Sequence, residues 1–160
     1  MYYTNFQSPV GPLLLAADDR GLCFVSFSGS RRAVHAERTW KRDQAPFKET
    51  IRQLQAYFRG ELKEFNLPLA LEGTPFQRSV WKNLLAIPYG KTISYGQLAD
   101  RIGRPKAVRA VGLANGQNPL PIIIPCHRVI GSNGKLTGYG GGLPFKEKLL
   151  ALESRQLRLL

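Results

Sequence analysis

Sulfur and acid are both scarce in this chain. Two cysteines and one methionine occur among 160 residues, so no disulfide framework holds the fold together. Two histidines, His35 and His127, stand with Cys23 and Cys126 at no metal-type spacing and support no zinc site. No apolar run approaches the ~20 residues of a membrane span. No basic residue precedes the first apolar stretch, so the N-terminus does not read as a signal peptide, and a soluble cytoplasmic protein is expected. Acidic residues number 11 against 23 Lys and Arg, a net charge of +12.

What is present suffices for a core. Hydrophobic residues make up 43% of the chain, with 8 Phe, 6 Tyr and 2 Trp. That composition excludes a disordered protein, and the length suits one domain or two small ones sharing an interface. The charge is uneven. Residues 1–73 hold 10 basic and 8 acidic side chains, whereas residues 74–160 hold 13 basic and 3 acidic. A polyanion facing the second half is implied, and nucleic acid is the commonest such partner.

The first half reads as a small α/β unit. Strands are predicted at 2–7, 13–17 and 22–27, separated by the turn signals Ser8-Pro9-Val10-Gly11-Pro12 and Asp18-Asp19-Arg20-Gly21. Their spacing predicts an antiparallel meander. A helix is predicted from Pro46 to Arg59, with one apolar face of Phe47, Ile51, Leu54 and Phe58. Residues 28–45 are basic and polar without a period, and 61–72 read as a connector with a short strand.

In the second half, Thr74-Pro75-Phe76-Gln77 is a capping box opening a helix to about Ile87, and Ser94-Tyr95-Gly96-Gln97 opens another to Ile102. Gly103 ends that helix, and a third runs from Lys106 to Asn115, which together have the form of a helix-turn-helix. Ile122-Ile123-Ile124 is predicted to be a buried strand ending at Pro125-Cys126-His127-Arg128. A last helix is predicted from Pro144 to Glu153.

Cys126 is the candidate nucleophile. A thiol reacts as thiolate, and a neighbouring imidazole or positive field lowers its pKa; His127 and Arg128 supply both. Neighbours on an extended chain point apart, so a bridging water or a turn at Cys126 is needed to couple the pair. A structural cysteine beside a surface histidine is the competing interpretation. Cys23, inside an apolar strand without a charged neighbour, reads as core. In the third helix small residues permit close approach to a duplex, with Lys106 and Arg109 about one turn apart. Ordinary tight packing accounts for such a helix equally well.

The run Pro125-Cys126-His127-Arg128-Val129, with Asn118-Pro119 before it and Gly138-Tyr139-Gly140-Gly141-Gly142 after it, resembles the O6-alkylguanine-DNA alkyltransferases. These are the methylated-DNA–protein-cysteine methyltransferases. The resemblance covers residues 74–160, while 1–73 are similar only in pattern. It implies an α+β fold, with an N-terminal support domain at 1–73 and a DNA-binding, alkyl-transfer domain at 74–160 that is mostly helical and winged-helix-like. It implies flipping of a damaged guanine from duplex DNA and a single, unregenerated transfer of its alkyl group to Cys126, with O4-alkylthymine a second substrate.

The resemblance also assigns roles. Cys126, His127 and Glu153 form a relay through water, Tyr95 donates a proton toward N3 of guanine, and Asn118 shapes the active-site loop. Arg109 fills the gap in the base stack, and Lys106, Ala107, Ala110, Asn115 and Arg128 meet DNA. Val129, Ser132, Tyr139, Gly140 and Gly141 line the base pocket. No cofactor or metal is implied, and the protein is expected to act as a monomer. Two alternatives stay open: a helix-turn-helix regulator with a structural Cys126, and a cysteine hydrolase.

Overall fold

The first 27 residues fold back on themselves twice. Strands β1 (Tyr2–Ser8), β2 (Gly11–Asp18) and β3 (Gly21–Phe27) form the predicted antiparallel meander. Ser8 closes the first turn, its Oγ donating to the Gly11 carbonyl at 2.6 Å and accepting from Val10 N–H at 3.2 Å. Asp18 closes the second by accepting from Arg20 N–H at 2.8 Å. The computed structural model describes residues 1–134 and 142–158, with backbone only over 155–158.

Every residue of β2 from Leu13 to Ala17 is buried, so both faces of the sheet are covered. Leu13, Leu15 and Ala17 face the main core. The other face is roofed by residues 28–42, where Val34 N–H donates to Ser26 Oγ and the Trp40 ring lies 6.3 Å from Phe24 and 6.5 Å from Tyr3. The roof ends in β4 (Lys41–Arg42), parallel to β1, and the sheet order is β3-β2-β1-β4. Tertiary packing holds this segment, which explains its lack of a periodic signal.

Helix α1 (Lys48–Phe58) follows a 3₁₀ turn at Ala45–Phe47 and buries Leu54 and Tyr57. The 61–72 connector contributes one residue to the sheet, where Leu69 bridges Leu22. Helices α2 (Pro75–Leu84) and α3 (Tyr95–Arg101) each begin with the predicted capping box, both reciprocal bonds formed. Gly103 adopts φ +75, a left-handed turn that lets α4 (Val108–Gly116) set off in a new direction. Trp81 Nε1 donates to the Ala114 carbonyl at 2.9 Å and seats α2 on α4.

One predicted strand is absent. Ile122, Ile123 and Ile124 are buried but form turns, with Ile124 N–H donating to the Leu120 carbonyl at 2.8 Å. Ile122 even takes φ +76, which a β-branched residue rarely adopts. Strand β5 (Ile93–Ser94) instead pairs in parallel with β6 (Val129–Ile130), a ladder too short to read from sequence. Helix α5 (Leu143–Arg158) outruns its predicted end. Phe145 of α5 stacks on Phe27 of β3 at 4.4 Å, and residues of both halves join one hydrophobic cluster.

Candidate active site

Cys126 opens a 3₁₀ turn, Cys126–Arg128, and is 3% exposed. The turn, rather than an extended strand, sets the directions of Cys126 and its two neighbours. Asn118 braces the approach: its Nδ2 donates to the Ile124 carbonyl at 2.8 Å and its Oδ1 accepts from Leu120 N–H at 3.0 Å. Asn115 Nδ2 donates to the carbonyl of Cys126 at 3.3 Å. A crevice of about 300 Å³ between β3, the roof segment and residues 116–121 reaches Cys126.

His127 is fully buried and its Nε2 lies 2.7 Å from Glu153 Oε2. Burial pushes the imidazole pKa below its ordinary value, and the carboxylate only partly opposes this. The ring is therefore neutral near pH 7, with Nε2–H donating to Glu153. Its Nδ1 is buried and has no hydrogen-bond partner among the described residues, which leaves one basic lone pair.

Glu153 is saturated. Arg128 donates from Nε to Oε1 at 2.8 Å and from Nη2 to Oε2 at 3.0 Å, and Tyr57 Oη donates to Oε2 at 2.6 Å. Burial alone would raise the carboxyl pKa, but hydrogen bonds and charge from His127 and then Arg128 outweigh it and bring it to about 2. Arg128 adds a fixed charge and two hydrogen bonds to this stabilisation of the carboxylate. Burial and Glu153 hold the Tyr57 phenol well above its ordinary pKa, so it stays a donor.

The β5–β6 ladder places Tyr95, first residue of α3, beside the segment that follows the nucleophile. Lys146 of α5 is fully buried there, its Nζ donating to the Val129 carbonyl at 2.5 Å and standing 5.8 Å from the Tyr95 ring centre. Burial lowers its pKa to about 8, while a Cys126 thiolate would favour the ammonium.

The remaining assignments divide. The helix starts two residues later than predicted: Lys106 is exposed and Ala107 half-buried just before α4, Arg109 and Ala110 are exposed in its first turn, and Val108 and Leu113 are also open to solvent. Two residues assigned to DNA contact lie elsewhere. Asn115 is fully buried on the inner face of α4, and Arg128 is buried with Nη1 donating to the Ile87 carbonyl at 2.6 Å. Neither offers a surface to a phosphate; both brace the active-site turn. Val129 is buried and Ser132 exposed, while Tyr139, Gly140 and Gly141 lie outside the described residues.

Comparison with known proteins matches two family models: 6-O-methylguanine DNA methyltransferase, ribonuclease-like domain, over residues 1–71, and the DNA binding domain of the same name over 75–155. A methylated-DNA–protein-cysteine methyltransferase of Methanosarcina acetivorans is 57% identical over 153 residues, covering 96% of this chain and 98% of the relative. One from Mycobacterium tuberculosis is 53% identical, covering 96% and 92%. The structure of Mycobacterium tuberculosis OGT in complex with DNA superposes with a TM-score of 0.91 at 51% identity, covering 98% of this chain and 94% of that one.

The chain belongs to the methylated-DNA–protein-cysteine methyltransferases.

Direct transfer of an alkyl group from DNA to a protein cysteine is the repair reaction of this family. In this methyltransferase, sequence reasoning missed two buried residues at the site. Tyr57 lies in α1, far along the chain from Glu153, and carried the signal of a core aromatic. Lys146 stands in an amphipathic helix among Glu147 and Lys148, where a lysine reads as solvated. No local pattern distinguishes either. Among the described residues, no group of three His, Cys, Asp or Glu is placed to hold a metal, and no helix is long and apolar enough to cross a membrane.

Proposed function

We propose that this methyltransferase grips duplex DNA through the exposed face of α4, turns an O6-alkylguanine out of the stack and takes its alkyl group onto Cys126. The observation that carries the assignment is the neutral, buried His127, coupled to an ionised Glu153 and adjoining the cysteine. His127 Nδ1 accepts the thiol proton through a water molecule, and Glu153 stabilises the imidazolium that results. The thiolate attacks the alkyl carbon; an S–C bond forms and the C–O bond breaks. Tyr95 delivers a proton toward N3, so the guanine leaves neutral. Lys146, buried and cationic below its pKa of about 8, favours the thiolate. A thioether has no easy leaving group, so each molecule acts once, as a monomer on one lesion. Residues 1–73 support the site through Tyr57.

Duplex DNA labelled in the O6-alkyl group tests this reading. Label is expected on the protein at one equivalent and none with Cys126→Ser, while the variant still binds DNA. Released label would mean hydrolysis, and binding without label movement would mean a regulator.

Arg109 is exposed at the start of α4, where it is proposed to occupy the space the flipped base vacates. Arg109→Ala should slow single-turnover transfer from saturated duplex lesion far more than from the free alkylated base. A wild-type rate on saturated duplex would reduce Arg109 to a phosphate contact.

A further inference from the structure

The excess charge of the first half sits in one segment. Residues 28–42 contain Arg31, Arg32, Arg38, Lys41 and Arg42 against the single acid Glu37, whereas the rest of residues 1–73 carries 5 basic and 7 acidic side chains. Ion pairing separates the arginines of the two groups. Outside the segment, Arg20 pairs with Asp18 and Glu72, Arg52 with Glu49, and Arg59 with Glu61. Arg31, Arg32 and Arg38 are exposed, and no described carboxylate forms a salt bridge with any of them.

These cations stand on a fixed backbone. Ser30 Oγ donates to the Phe27 carbonyl at 2.8 Å, Ala33 N–H to the Ser30 carbonyl at 3.1 Å and Val34 N–H to Ser26 Oγ at 2.8 Å. The segment also touches the second half. Arg32 Nη1 donates to the carbonyl of Gly116 at 3.0 Å, the last residue of α4, which leaves the other guanidinium donors unused by that bond. Arg32 thus ties the basic segment to the C-terminal end of α4, three residues past Leu113, the last exposed residue of that helix. Lys41 and Arg42 are carried by β4 to the opposite edge of the sheet and take no part.

We propose that Arg31, Arg32 and Arg38 extend the DNA contact of α4 onto the N-terminal half, binding the sugar–phosphate backbone of the same duplex. The inference rests on the reading that α4 faces DNA. Unpaired, exposed guanidiniums on an anchored loop suit phosphate, which they bind in a planar, bidentate fork without reading sequence. The N-terminal half then adds affinity and footprint as well as support.

The test is the salt dependence of binding to a short duplex that admits one molecule. Arg31→Gln/Arg38→Gln should weaken binding and flatten the slope of log affinity against log salt by about 0.9 for each phosphate that is no longer neutralised. Arg52→Gln, which removes a paired arginine, reports the effect of net charge alone and should leave the slope unchanged; unfolding temperatures confirm that the variants are folded. An unchanged slope in the double variant would overturn the inference while leaving the α4 reading intact. Weakening seen only on long duplexes holding several molecules would also overturn it, because the segment would then meet a second copy. A flat salt response in the unmodified protein would overturn the DNA reading itself and this inference with it.

Discussion

Glu153 receives hydrogen bonds from three side chains, and two of the groups in that cluster set how the protein meets acid. His127 is held below its ordinary pKa of 6.5 and Glu153 below its ordinary 4.5. In both cases the unfolded chain binds the proton more readily, so stability rises with pH. The contribution of His127 is complete above pH 6.5 and is lost as pH falls toward its folded pKa. That of Glu153 is complete above 4.5 and is lost on the way to about 2. The unfolding temperature should therefore decline in two stages on acidification from pH 7. A rise between pH 7 and pH 5 would contradict a neutral buried imidazole. Cys126 and His127 are legible in the sequence from their residue types, and Glu153 through the resemblance. Tyr57 and Lys146 are not, because their function arises from where the fold buries them and not from their neighbours in the chain.

Segment 118–128 shows why some elements read well and others do not. The capping boxes at Thr74 and Ser94 are local: a few adjacent residues hold the whole signal, and both form as read. Three consecutive isoleucines report burial, and burial is what they have. They do not report extension, because Asn118 supplies hydrogen bonds that make a compact turn out of residues with strand propensity. Asn118→Ala removes two bonds, each worth about 1 kcal/mol net and more where a buried N–H is left unpaired. The variant should lose about 2 kcal/mol of stability, read by urea unfolding, and transfer should slow as Ile122 relaxes from its positive φ. Asn118→Asp keeps the acceptor for Leu120 and should recover part of the loss. A stable variant with a normal rate would remove Asn118 from the site.

At the scale of the molecule, the division at residue 73 expected from charge and pattern crosses a continuous core. Phe27 stacks on Phe145, and Tyr57 reaches from the first half to Glu153 of the second. Tyr57→Phe deletes a hydrogen bond to an ionised carboxylate, worth about 1.5–3 kcal/mol. Both halves should lose that stability together, with amide signals of β2 and α2 disappearing at the same urea concentration. Separate midpoints would mean that the halves fold independently. The four-stranded sheet carries a further consequence. The outer edge of β3 is occupied, since Leu22 exchanges hydrogen bonds with Pro68 and Ala70, and Val25 N–H donates to the Pro119 carbonyl. The other edge is covered only at its start, where β4 sets Lys41 and Arg42 beside Tyr2 and Tyr3, and no other described strand pairs with that side of β1 from Thr4 to Ser8. Strand addition is therefore blocked along β3. An incoming chain is left the short outer stretch of β1, flanked by two cations.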